Sequence, residues 1–295
     1  MKTPLFTGCG VAIVTPFTQT GVDYDAFSQL LEWQIDSGTD AIIVCGTTGE
    51  ASTLTRTERS RLTALCIERV DGRIPVIVGT GSNCTQTAAE LAREAESLGA
   101  DGILVVTPYY NKATQQGLCS HYLTVADAVS IPLILYNVPS RTGMSCSADT
   151  YRLLSRHANI NGVKEASGNF SLIQETLRQC GDDLFVWSGN DEDTTAVCAL
   201  GGKGVISVAA NIIPRDMHDL TQLCFENDVL AAGEMQVKMS ELLRALFCEV
   251  NPIPIKTAMW YLGLCSAQLR LPLCEIGPDG AAFLKKAVQR YRITL

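Results

Sequence analysis

Lys164 closes a short apolar run, Ile160-Asn161-Gly162-Val163-Lys164, and is followed by Glu165-Ala166-Ser167, a change to polar and small residues that reads as the end of a buried strand. An ammonium group there is costly to desolvate, so its pKa should fall and part of the population should be free amine, a nucleophile for a ketone. A lone lysine so placed more often reaches solvent or pairs with a neighbour such as Glu165. Its company in the rest of the chain reverses that balance.

Other apolar runs lead into segments rich in functional groups. Gly46-Thr47-Thr48-Gly49-Glu50 offers adjacent hydroxyls and a glycine-flanked backbone able to approach a small anion. Thr107-Pro108-Tyr109-Tyr110-Asn111, Tyr136-Asn137-Val138-Pro139-Ser140-Arg141-Thr142-Gly143, Ser188-Gly189-Asn190-Asp191 and Gly204-Val205-Ile206-Ser207 follow in the same way. An amine, phenols, paired threonines and an arginine suit covalent catalysis on a small keto acid. Lys164 would form a Schiff base, an electron sink that lets the adjacent carbon lose a proton and become an enamine nucleophile. Tyr136, one strand away, could pass protons through the hydroxyl of Thr47. Arg141 could clamp a carboxylate in two parallel hydrogen bonds. Each has a plainer reading by itself: a core tyrosine, a threonine capping a turn, a solvated surface arginine.

Competing chemistries lack their residues. His121, His157 and His218 are the only histidines, all in segments that read as helical, and no H-E-x-x-H or G-x-S-x-G motif occurs, which disfavours metal and triad chemistry. Gly79-Thr80-Gly81 follows a strand, but Cys84 occupies the third position of a dinucleotide fingerprint, so a turn role is assigned. Lys256, flanked by Pro254 and helix-like residues, follows no strand and is expected to be structural, pairing with an acidic group. No metal and no cofactor are expected.

The elements that must position these groups are eight short apolar runs: Val11 to Thr15, Ala41 to Cys45, Pro75 to Val78, Gly102 to Thr107, Pro132 to Asn137, Asn161 to Lys164, Phe185 to Ser188 and Gly204 to Val208. Their continuous apolar character predicts strands buried on both faces, hence parallel. Helix-like segments alternate with them. Thr55 to Glu58 has capping-box spacing, and Thr85 to Leu98 stops against Gly99. The alternation predicts an α/β fold, a (β/α)8 TIM barrel, with an open doubly wound sheet as the alternative. In a barrel the site lies at the carboxyl ends of the strands, where these functional groups cluster. After Ile212-Ile213-Pro214 the strand rhythm stops and helical spacing takes over. We read residues 1–225 as the catalytic barrel and 226–295 as a C-terminal helical extension serving support or assembly.

The chain of 295 residues is 46% hydrophobic, ample for a large core. Its net charge of -8 argues against nucleic-acid and anionic-membrane partners. Twelve scattered cysteines without a C-x-x-C pair fit thiols in a reducing compartment, and no apolar run reaches membrane-spanning length, so a cytoplasmic location is expected.

Four motifs in order, Gly46 to Glu50, Tyr136 to Gly143, Gly162 to Gly168 and Asn251-Pro252-Ile253-Pro254-Ile255-Lys256, resemble those of the 4-hydroxy-tetrahydrodipicolinate synthase (dihydrodipicolinate synthase) family, of the pyruvate-dependent class I aldolase superfamily that includes N-acetylneuraminate lyase. The resemblance runs nearly from end to end. It implies a lyase that condenses pyruvate with aspartate-4-semialdehyde in lysine and diaminopimelate biosynthesis. Lys164 then resembles the Schiff-base lysine, Tyr136 the phenol serving imine formation, and Thr47 and Tyr110 the other relay members, Tyr110 reaching into a neighbouring subunit. Thr48 resembles the residue holding the pyruvate carboxylate, Arg141 the one meeting the aldehyde's carboxylate, and Gly189 and Ile206 match positions lining the pyruvate pocket. The resemblance implies a homo-oligomer, a tetramer built as a dimer of dimers. Many relatives are inhibited by lysine. Asn83 and Tyr109 fit that effector site, but Thr87 stands where a carboxylate is common, and Arg56 and Arg59 add cations. Feedback by a cationic amino acid is therefore expected to be weak or absent. A sugar-acid aldolase of the same superfamily would share Lys164 and Tyr136 but would want neutral groups in place of Arg141. A non-catalytic keto-acid-binding barrel would acquire no covalent adduct.

Overall fold

Eight apolar runs become eight parallel strands that close on themselves. The structure, a computed structural model, describes residues 2–293. The barrel strands are β1 (Gly8–Ala12), β2 (Ala41–Val44), β3 (Val76–Gly79), β4 (Gly102–Val106), β5 (Leu133–Asn137), β6 (Ile160–Glu165), β7 (Phe185–Ser188) and β8 (Gly204–Ser207). Neighbours in sequence are neighbours in the barrel, and β1 pairs in parallel with both β2 and β8 to complete the ring. Closure leaves no sheet edge and rules out the open sheet. Where β8 meets β1 the backbones crowd: Gly204 has φ +127, and a Cβ there would lie 1.8 Å from the Gly8 carbonyl oxygen.

Side chains pointing inward form one apolar cluster, including Ala12, Ile43, Ile77, Leu104, Ile134, Tyr136, Trp187 and Ile206. Phe6, just ahead of β1, stacks on Trp187 with ring centroids 5.0 Å apart and fills the amino-terminal end. The interior is thus packed, and open chemistry is confined to the carboxyl-terminal end. A larger cluster fills the layer between strands and surrounding helices.

Those helices are α1 (Tyr24–Asp36), α2 (Arg56–Val70), α3 (Thr85–Leu98), α4 (Gln115–Ala126), the short α5 (Pro139–Thr142), α6 (Ala148–Leu154), α7 (Phe170–Cys180), α8 (Thr194–Ala199) and α9 (Pro214–Phe225). The capping box at Thr55 and Glu58 is formed in both directions, and Gly99 ends α3 in the left-handed conformation. Beyond α9 come α10 (Val229–Ala245), α11 (Ile253–Tyr261) and α12 (Pro278–Tyr291). Helix α10 packs on α8, α9 and α12, and α11 packs on α12.

Two expectations need correction. The first strand begins at Gly8 and ends at Ala12, ahead of the run Val11 to Thr15 with which it overlaps only at Val11 and Ala12. Just past the strand, the Ile13 N–H still reaches the Ile43 carbonyl, but the Val14 N–H donates to the Asn211 side chain and the Thr15 hydroxyl to the Gly49 carbonyl. Burial continues after the ladder has ended. His157 lies in the connection between α6 and β6, outside any helix, where its ring contacts Asp127 at 3.0 Å. Among the described helices none is long and apolar enough to cross a membrane.

Candidate active site

The register of three strands assembles the centre. Lys164 on β6 is paired with Tyr136 on β5 and with Trp187 on β7, so these side chains share the interior face. Glu165, next in sequence, points to the opposite face. There it accepts from Asn137 at 2.9 Å, from the Tyr151 hydroxyl at 2.8 Å and from the Ser167 N–H at 2.9 Å. The strand's alternation therefore separates the amine from the carboxylate that could have neutralised it.

Lys164 is 5% exposed, which also removes the solvent-reaching alternative. Burial pulls its pKa down to about 8, with the Asp191 carboxylate opposing and the positive charge of Arg141 acting in the same sense as burial. At that pKa roughly a tenth of the amine is unprotonated at pH 7. The nitrogen lies 4.6 Å from the centre of the Tyr136 ring. Tyr136 is itself buried, and burial raises its pKa while Arg141 and a hydrogen bond with the Thr47 side chain pull it down. A neutral phenol beside a hydroxyl can both give and take a proton, the property a relay needs.

Tyr136 and Thr47 line a cavity of about 260 Å³ with Gly46, Leu104, Val106 and Tyr109. Lys164 does not line it and sits beside the tyrosine ring. The cavity also extends past Ser52, Arg59 and Thr87. Asn83 is not part of its wall; its carbonyl accepts from Asn111 at 2.9 Å. Arg56 pairs with Glu94 at 3.1 Å, and Arg59 donates to the Gly79 carbonyl.

The remaining candidates fall into two groups. Thr48 is buried and its hydroxyl oxygen accepts from the Asn251 side-chain amide at 3.0 Å, while Arg141, on α5, donates to the Asn251 main-chain carbonyl at 3.0 Å. Gly189 packs against the lysine: a Cβ would fall 3.1 Å from Lys164 Cγ and 2.6 Å from Ala166 Cβ, so a side chain there would push the amine aside. Ile206 is fully buried in the interior cluster. Tyr110 is different. It is 92% exposed, has φ +71 and takes no part in the wall of its own chain's cavity.

Two neighbours of the centre had no role assigned from sequence. Asp191, fully buried after β7, accepts from the N–H groups of Val208 (3.1 Å) and Ala209 (2.9 Å) and is the anion whose charge opposes deprotonation of Lys164. The signal was an acidic residue at the carboxyl end of a barrel strand. Asn251 stood in a quoted motif far along the chain, and nothing in its spacing tied it to Thr48 or Arg141.

Residues 5–291 match the model of the dihydrodipicolinate synthetase family. The chain belongs to that family. It is 49% identical to the 4-hydroxy-tetrahydrodipicolinate synthase of Thermoanaerobacter sp. (strain X514), over 98% of this chain and 97% of the relative. Among solved structures, the dihydrodipicolinate synthase of Acinetobacter baumannii complexed with pyruvate superposes with a TM-score of 0.96 at 42% identity, covering 98% of this chain and 99% of that one. A dihydrodipicolinate synthase variant described as monomeric superposes equally well, with a TM-score of 0.96 at 39% identity and 98% coverage of both chains. Dihydrodipicolinate synthetase membership makes the barrel part of one known architecture.

Proposed function

We propose that Lys164 is the amine that captures pyruvate in this enzyme. The reaction is the family's condensation of pyruvate with L-aspartate-4-semialdehyde to 4-hydroxy-tetrahydrodipicolinate, a lyase step of lysine and diaminopimelate biosynthesis. The observation that carries the residue assignment is a buried lysine with its pKa lowered to about 8, held against a buried tyrosine that lines one cavity with Thr47.

In this reading the free amine attacks the keto carbon, water leaves, and the protonated imine draws electrons from the methyl carbon, which loses a proton to become an enamine. That carbon attacks the aldehyde. Tyr136 and Thr47 move the protons, with Tyr110 contributed from a neighbouring subunit. Thr48 holds the pyruvate carboxylate, Arg141 meets the aldehyde's carboxylate, and Gly189 and Ile206 shape the pyruvate pocket. Residues 1–225 form the catalytic barrel and 226–295 an extension that supports it. The exposed Tyr110, useless to its own site, favours a homo-oligomer, a dimer of dimers, although a monomeric variant exists among the structural neighbours. A cytoplasmic location suits a biosynthetic enzyme with many reduced thiols.

Incubation with pyruvate and borohydride, followed by peptide mass analysis, tests the assignment: the adduct is expected on Lys164, and an unmodified Lys164 overturns it. Lysine inhibition is expected to be weak or absent, because Thr87 and Arg59 offer the effector's ammonium no anion where they line the cavity. Turnover measured across millimolar lysine checks this, and strong inhibition contradicts it.

A further inference from the structure

The Asn251-to-Lys256 motif takes no part in the proton relay, yet it is tied to the site at two points. Lys256, fully buried, pairs with Glu50 at 2.7 Å and donates to the carbonyls of Thr15 and Gln268. Glu50 ends the Gly46-to-Glu50 loop that carries Thr47 and Thr48, so the ion pair fixes where that loop sits. Asn251, 5% exposed, then reaches the loop directly. Its Nδ2 donates to Thr48 Oγ1 at 3.0 Å, and its own main-chain carbonyl accepts from Arg141 Nη2 at 3.0 Å.

The direction of the first bond matters. A hydroxyl that accepts from an amide keeps its own proton free to donate elsewhere, and a carboxylate is an acceptor only. We propose that Asn251 is a positioning residue for substrate recognition: its amide occupies the acceptor side of Thr48 and reserves the threonine proton for the pyruvate carboxylate, while its main-chain carbonyl holds Arg141 at the carboxylate of the aldehyde. One residue outside the barrel thereby sets the spacing between the groups that receive the two substrates. Its Oδ1 is buried without a partner among the described residues.

This inference rests on the assignment of Thr48 and Arg141 above. The test is Asn251→Asp, of nearly the same shape, which replaces the donor by an acceptor and draws the Thr48 proton away from pyruvate. The KM for pyruvate is expected to rise about tenfold with kcat within about threefold, the pattern of lost ground-state binding. The KM for aspartate-4-semialdehyde should change far less, because the main-chain carbonyl on Arg141 is kept. Asn251→Ala, lacking the acceptor, should give a smaller rise of the same kind. In a Thr48→Val background, Asn251→Asp should add less than about twofold, because the group it acts through is gone. Thermal unfolding and borohydride trapping at saturating pyruvate accompany each variant. An unchanged pyruvate KM in Asn251→Asp, or an equal rise in the Thr48→Val background, overturns the proposal. Loss of both KM values together with folding in both Asn251 variants shows a merely structural role and overturns it too. Absence of an adduct in the unmodified enzyme is a different failure, that of the Lys164 assignment.

Discussion

Lys164 feels two opposing pulls on its ammonium group, and their balance fixes the working pH of the amine. Desolvation favours the free base and dominates; the buried carboxylate of Asp191 favours the charged form. The rate of pyruvate imine formation is therefore expected to rise with pH through a midpoint near 8, as the ammonium loses its proton. Rapid borohydride trapping at graded pH measures it, and a midpoint near the ordinary lysine value would show the site to be wetter than its burial indicates. Replacing Asp191 by Asn removes the group that stabilises the ammonium. The Lys164 pKa then falls further and the rising limb moves to lower pH, by about one unit for a charge at this range. A shift upward, or none, would mean that Asp191 is not charged beside the amine. The lysine itself was legible from its apolar run and polar sequel. Asp191 was not, because a carboxylate's effect on a particular amine depends on their separation across neighbouring strands.

At the scale of elements, the strand-end loops depend on what packs beneath them. The loop carrying Thr47 and Thr48 is anchored by the Lys256–Glu50 pair, and Phe17 lies under both Lys256 and Arg270, 4.2 and 4.4 Å from its ring centre. Arg270 also bonds Glu58 in the first turn of α2. Lys256→Met leaves the Glu50 carboxylate buried and unpaired, and should cost about 3–5 kcal/mol of stability by urea unfolding. Adding Glu50→Gln removes the orphaned charge and should recover part of that loss. If the single variant is as stable as the parent, the pair does not anchor the loop. The expectation that Lys256 pairs with an acid was correct, and its reason was the absence of a preceding strand. Its partner, 206 residues earlier, was beyond any reading of local spacing. Strand one shows the complementary limit: apolar sequence reports burial, and burial outlasts the hydrogen-bonded ladder at Val14 and Thr15.

For the whole molecule, the question is whether a second copy completes the site. Tyr110 is exposed on a single chain, and the relay reading needs it in a partner's site. Mixing Tyr110→Phe with Lys164→Ala, each nearly inactive, should restore about a quarter of parental activity, since random pairing makes half the dimers mixed and each holds one complete site of two. Activity of the mixture after unfolding and refolding together measures this, with sedimentation to report assembly. No gain over the separate variants would place Tyr110 outside the neighbouring site.

The order of eight apolar runs with helical segments between them pointed, from sequence alone, to parallel strands buried on both faces and to a barrel ahead of an open sheet, because strand burial and helix periodicity are local properties of the chain; closure of the ring was decided by the structure. Lys164, Tyr136, Thr47 and Arg141 were visible for the same reason: each stands at or just beyond such a run. What the tertiary structure decided is which groups meet. The register that sets Lys164 beside Tyr136 and turns Glu165 away, the carboxylate of Asp191, and the reach of Asn251 to Thr48 and Arg141 all join residues distant in sequence. Electrostatic and hydrogen-bond energies depend on separations of a few ångströms, and those exist only once the barrel has closed and the C-terminal helices have packed against it.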